Sequence, residues 1–147
     1  MFLQEFDPCP EELHGYFCAR DWPIERAVQT LDSWSRGVGL AEGWVPCSTW
    51  FWEEAGALAG VINLRHVLTP ALEQQGGHIG FAVAPSQRRR GVASQMLAGA
   101  LVQCRKLGIA RVLLTCDASN RGSAKTIAGG GGVLDREALH ETDQRMQ

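Results

Sequence analysis

Pro85 constrains this chain more than any other residue, because it forces a change of structure between two strongly patterned segments. A proline has no N–H for a strand ladder, so the strand-like run His78–Ala84 must stop there. A basic turn follows, Arg88-Arg89-Arg90, and then a helix from about Gly91. Val92, Met96, Ala100 and Cys104, joined by Ala93, Leu97 and Leu101, form a broad apolar stripe at helical period. Gly108 is a natural helix stop. Beyond it, Arg111–Asp117 (RVLLTCD) is apolar on both faces, as expected of a strand in the middle of a sheet. Strand, helix and strand in that order make a βαβ unit.

The preceding half of the chain feeds this unit. Residues 1–36 carry helical spacing, with Leu13, Tyr16 and Phe17 in one stretch and Ile24, Val28, Leu31 and Trp34 in another. Pro23 between them suits a second helix starting near Trp22. Residues 37–48 read as loop. Thr49–Trp52 and Leu58–Leu68 read as strands joined through Glu53–Ala57 in a hairpin, and Thr69–Gly77 is a longer loop before the third strand. After the βαβ unit, a short helix from about Arg121 to Ala128 ends at glycines 129–132, and Val133–Leu139 reads as a last strand. The fold class expected is α+β (mixed α/β): a central mixed sheet flanked by helices, in one domain spanning residues 1–147.

Composition removes several function classes. At 147 residues, with 45% apolar and 20% charged side chains, the chain can bury one substantial core. A net charge of −2 argues against a general nucleic-acid binder or a membrane-surface protein. No apolar run approaches the roughly 20 residues of a membrane span. The N-terminus (MFLQEFDPCPEEL) is acidic and broken by two prolines, unlike a signal peptide, so the expected location is the cytoplasm. The five cysteines form no Cys-x-x-Cys pair and the four histidines stand apart, so reduced thiols and no metal site are expected.

The chemistry concentrates at Val83–Ala93. The free N–H groups at a helix start, with the positive end of its dipole, form an anion site. Gly91 and Ala93 leave room for phosphate oxygens to approach the backbone, and Arg88, Arg89 and Arg90 add charge-assisted donors. Taken alone, the same residues also fit a solvated charged turn. A nucleic-acid reading is weaker, since no aromatic platform or second basic cluster accompanies the triplet.

Arg88-x-x-Gly91-x-Ala93 after Val83-x-Pro85 resembles the acetyl-CoA pyrophosphate signature of the GNAT superfamily of acyl-CoA-dependent N-acyltransferases, Gln/Arg-x-x-Gly-x-Gly/Ala. The resemblance continues through the amphipathic helix 92–107, the strand RVLLTCD and Asn120-x-x-Ser123, and covers roughly residues 49–135. Within it, GGHIGFAVAPSQRRRGVASQML and RVLLTCDASNRGSAKTI look most like a bacterial subgroup of predicted acetyltransferases. The resemblance implies acetyl-CoA as cosubstrate and a primary amine, on a small molecule or a peptide, as acceptor. It implies that Phe81, Ala82 and Val83 pair with the pantetheine arm, that Arg88, Arg89, Arg90, Gly91, Val92 and Ala93 hold the pyrophosphate, and that Asn120 and Ser123 lie near the pantetheine and the leaving sulfur. It also implies that the first and last strands of the family's sheet are missing here, so that a second copy completes the sheet in a homodimer.

One position departs from the family. Ile127 stands where many members carry a tyrosine that protonates the departing thiolate, and the only tyrosine is Tyr16. Loss of a general acid can cost about 10²–10⁴ in rate, but a thiol with a pKa of about 8.5 leaves tolerably without one. The amine itself must be neutral to attack, which calls for a base. His78 opens the splayed strand and His66 lies on the preceding one; a simple hairpin would set them face to face, and imidazole has a suitable pKa. Two structural histidines are the plainer alternative, and Glu73 is a further candidate. Five tryptophans suit core packing and a dimer face, or an aromatic wall for the acceptor. Two other functions fit the same residues: a non-catalytic acyl-CoA sensor, and a phosphate- or nucleotide-binding α/β domain.

Overall fold

The computed structural model describes residues 2–135. Its centre is one antiparallel sheet in the order β1 (Cys47–Glu54), β2 (Ala57–Arg65), β3 (Ile79–Val83). All three strands lie where the runs of β-branched and aromatic residues place them. The β1–β2 turn is Ala55-Gly56, with φ of 49° and 82°. Two left-handed residues in a two-residue loop twist the chain as a hairpin requires. A bulge between Trp52 and Glu53 shifts the register just before that turn.

Alternation then sorts the side chains onto two faces. On one face Ile62, Leu64 and Ile79 pack against Val92, Met96, Leu97, Ala100 and Cys104 of helix α3 (Val92–Lys106), as the stripe in the sequence predicts. Here α1 is Ile24–Ser35 and α2 is the short helix Pro70–Gln74. Helix α3 closes with Gly108 at φ 77°, and the bonds Gly108 N–H to Arg105 O and Ile109 N–H to Cys104 O satisfy its last carbonyls. On the other face Val61 and Ala82 meet Phe2 and Phe6, while Cys47 meets Cys18, Ala27, Leu31 and Trp34.

Four expectations are corrected. The stretch 2–22 forms no α-helix. It makes 3-10 turns at Leu3–Phe6 and Pro10–Glu12 and then crosses the sheet irregularly. The prolines at 8 and 10 and the glycine at 15 break the helical ladder that Leu13, Tyr16 and Phe17 suggested. Within α1 the buried residues are Ala27, Leu31 and Trp34, whereas Ile24 and Val28 face outward. Residues 111–117 do not form a full strand in mid-sheet. Only Leu114 pairs, antiparallel with Gly77 and parallel with Ile79, and Val112–Thr115 are half-buried. That segment has no second neighbouring strand among the described residues to extend its ladder. Of the expected last strand, Val133–Asp135 carries no regular structure and is exposed, and residues 136–139 lie outside the described residues.

Candidate functional site

The turn after β3 is held open by its own backbone. Pro85–Gln87 forms a 3-10 turn, Arg89 takes φ 63°, and Gly91 takes φ 77° as the N-cap of α3. Left-handed conformation at Gly91 is what a glycine supplies without strain; a side chain there would cost roughly 1–2 kcal/mol. A Cβ at Gly91 would meet nothing nearer than the Gln95 side-chain nitrogen, at 3.8 Å, so the space above it is open. The first bond of the helix runs from Gln95 N–H to Gly91 O at 3.1 Å. The N–H groups of Val92, Ala93 and Ser94 therefore precede the helical ladder and point their dipoles toward that open space. A phosphate is the natural partner for such a group of donors.

The arginines divide in role. Arg88 donates to Val83 O at 3.2 Å and pairs with Glu12 at 2.8 Å, tying the N-terminal segment to the turn. Glu5 does the same from the next turn, accepting from Ser86 N–H and Ser86 Oγ–H, each at 2.9 Å. Arg90 makes a long contact of 3.4 Å with Gln87 Oε1. Arg89 and Arg90 are exposed beside the open helix start, available to an anion.

Beyond the turn, β3 separates from the segment 111–117. His78 N–H donates to Leu113 O at 2.8 Å and Leu113 N–H donates to His78 Nδ1 at 3.0 Å, so the two chains are clamped at that point. After Ile79 no described pairing joins them. Residues 78 and 84 bond to β2, so by alternation Phe81 and Val83 turn their backbone groups away from it, as an extended ligand arm would require, with Val83 O also accepting from Arg88. Further along the chain, Asn120 is the N-cap of helix α4 (Arg121–Gly129) and accepts from Ser123 N–H at 3.1 Å. Its carboxamide oxygen is occupied by the cap, which leaves the amide nitrogen for a ligand. Ile127 is half-buried in α4 and holds no proton to give.

The two histidines are not a pair. The register sets Leu64 opposite Ile79, and Arg65 N–H donates to His78 O at 2.7 Å, so His78 faces Arg65 rather than His66. A shift of one residue moves a side chain to the other face. His66 therefore lies on the α3 face, where Nε2 contacts Ser48 Oγ at 2.8 Å, and His78 lies on the face of Asn63 and Arg65. Burial pushes the pKa of both below the ordinary value of 6.5, and the Arg65 guanidinium pushes His78 further down. Both are neutral at neutral pH. Since His78 Nδ1 accepts a hydrogen bond, its Nε2 carries the proton.

The second feature is a cavity of about 190 Å³ on that same face, lined by Phe17, Trp44, Asn63, Arg65 and Leu72 among others. Nothing in the sequence marked Asn63 or Arg65, since each reads as one polar residue in a strand. Trp44 stacks edge-on with Trp34 at 5.1 Å and with Phe17 at 5.9 Å, so part of the tryptophan surplus forms an aromatic wall here. Gly15 crosses the sheet at the neighbouring position. A Cβ there would lie 2.6 Å from Gly80 O, so only glycine lets the chain pass so close.

No curated protein and no solved structure is found similar to the chain. The model of the acetyltransferase (GNAT) family matches residues 8–128, which include the open helix start, the clamped and then separated β3, and the Asn120 cap. The chain belongs to the GNAT acetyltransferase family, whose members transfer acetyl groups from acetyl-CoA.

Proposed function

We propose that this chain is an N-acetyltransferase that moves the acetyl group of acetyl-CoA to a primary amine by direct attack. The observation that carries the reading is the open helix start at Gly91, with three N–H groups ahead of the helical ladder and Arg89 and Arg90 beside it. In this reading the pyrophosphate sits on residues 88–93, and the pantetheine lies along Phe81–Val83 with Asn120 and Ser123 across from it. The thiolate leaves without a tyrosine, which its own acidity permits.

A base must have a free lone pair and a path to the amine. His78 lies on the cavity face, but Leu113 N–H occupies its lone pair. His66 lies on the other face, yet its Nδ1 has no partner among the described residues. Water can bridge distance but cannot supply the missing lone pair, so the proposal makes His66 the base, reached through water, and His78 a positioning residue. The pH profile of kcat/KM tests this. Because burial lowers the pKa of His66, activity should hold down to below pH 6.5 before the acid limb falls. His66→Ala should lose about 10²-fold and lose that limb. Full activity and an unchanged profile in both His66→Ala and His78→Ala would remove the imidazoles from the mechanism.

The same reading makes the protein a homodimer. Its support is the outer edge of residues 111–117, which no described strand covers, together with the exposed apolar side chains of Val133 and Leu134. Light scattering at micromolar concentration should give twice the 16.0 kDa chain mass; a stable particle of 16.0 kDa would refute the dimer.

A further inference from the structure

Asn63 and Arg65 are both unusual for residues of a buried strand. Asn63 is 0% exposed; its Nδ2 donates to Thr49 Oγ1 at 2.9 Å, while its Oδ1 is buried without a partner among the described residues. An orphaned buried acceptor is rare, because it forfeits a hydrogen bond that water would have given it. A ligand N–H would satisfy it.

Arg65 carries a charge with no counter-ion among the described residues. Its Nη1 donates to Gly76 O at 3.2 Å and Gly77 O at 3.0 Å, and its Cζ lies 5.3 Å from the Phe17 ring centroid. The ion pairs among the described residues involve Arg20, Arg36 and Arg88, not Arg65. Nε and Nη2 have no hydrogen-bond partner among the described residues. Burial also pushes the guanidinium pKa down, so its charge is held at a cost. The planar fork of a guanidinium matches a carboxylate better than any other common ligand group.

Both residues line the same cavity of about 190 Å³, with Phe17, Trp44 and Leu72 as apolar walls. Two residues apart on one strand face, they stand about 7 Å from each other at the backbone. A ligand that meets both needs an amine and a carboxylate close together on a small molecule, with an apolar body. Asn63 also pairs with Gly80, one residue before the Phe81–Val83 segment, which puts the cavity one strand in from the separated edge of β3.

Resting on the acetyltransferase reading above, we propose that this cavity is the acceptor subsite and that it takes a free amino acid with an apolar or aromatic side chain. The carboxylate pairs with Arg65, an amine N–H donates to Asn63 Oδ1, and the side chain lies against Trp44 and Phe17. The amine nitrogen uses its lone pair to form a C–N bond to the acetyl carbonyl carbon. The C–S bond breaks, its electron pair leaves with the coenzyme A sulfur, and the amine's surplus proton passes through water to that thiolate to give the free thiol. The product is the N-acetyl amino acid.

Wild-type protein decides the matter with phenylalanine, phenylalaninamide and phenethylamine as acceptors, which share the amine and ring and differ in the carboxylate. Phenylalanine should have a kcat/KM at least tenfold above the other two. Arg65→Lys, which keeps the charge but loses the fork, should raise the KM for phenylalanine about tenfold and leave kcat little changed. Equal or better use of the carboxylate-free amines, or an unchanged KM in Arg65→Lys protein of wild-type thermal stability, would overturn the proposal. Calorimetry separates this from the parent reading. Acetyl-CoA that neither binds nor is consumed with any amine sinks the acetyltransferase function. Phenylalanine binding tighter than phenylalaninamide still upholds the carboxylate site, and equal binding removes it.

Discussion

In the function we propose, the phosphate end of the site comes from consecutive residues, 88–93, and relies largely on backbone N–H groups at the start of α3. The cavity end is assembled from Phe17, Trp44, Asn63, Arg65 and Leu72, and works through side chains. A contiguous site needs only local conformation: a proline to stop the strand, a left-handed glycine, and an apolar stripe to anchor the helix. An assembled site needs the whole sheet register before any of its parts meet. The first is therefore tolerant of side-chain change and intolerant at Gly91. The second needs Gly15 only to let the chain cross the sheet beside it, and each of its polar groups can be probed separately.

The contrast is sharpest at Gly91. Gly91→Trp should weaken acetyl-CoA binding at least 100-fold by calorimetry, since the side chain would occupy the open space that phosphate needs. Gly91→Asn, whose short side chain tolerates the left-handed region, should keep more stability than Gly91→Trp and lose less affinity. Unchanged affinity in Gly91→Trp would break the claim that the backbone carries the phosphate end.

A smaller effect is expected where the two ends join. His78→Ala leaves Leu113 N–H without its acceptor and loosens the clamp behind the separated strands, at a cost of about 1–3 kcal/mol in denaturant unfolding. The folded pKa of His78 lies below its unfolded value of 6.5. The unfolded chain therefore binds the proton first, and wild-type stability falls as pH drops below about 6.5 toward the folded pKa. His78→Ala should flatten that dependence; a curve that keeps its slope would place the titrating group elsewhere.

Much of the fold was legible because its signals are local. The α3 stripe, the Gly108 stop, the hairpin at Ala55-Gly56 and the Asn120 cap each arise from a few neighbouring residues. The 2–22 segment was not, because the spacing of Leu13, Tyr16 and Phe17 imitates a helix that Pro8, Pro10 and Gly15 prevent. Instead Glu5 and Glu12 reach Ser86 and Arg88, far along the chain, a contact no local pattern reveals. The His66–His78 pairing failed by one residue of register, since α2 and the Gly76-Gly77 turn do not divide the loop symmetrically. Asn63 and Arg65 are silent in sequence for the same reason: their meaning comes from the face they share with Trp44 and from the partners they lack among the described residues.

The central claim is that this chain holds acetyl-CoA by its phosphates on the amides and arginines of residues 88–93. Calorimetric titration of the wild-type protein with acetyl-CoA and with S-acetylpantetheine, which lacks the pyrophosphate and the nucleotide, tests it most directly. With ATP added as competitor, the same titration also separates an acyl-CoA site from a general nucleotide site. The account predicts that S-acetylpantetheine binds at least 100-fold more weakly, a loss of roughly 2.7 kcal/mol, and that ATP displaces acetyl-CoA poorly. Equal affinity for the two thioesters, or displacement of acetyl-CoA by ATP at comparable concentration, would contradict it.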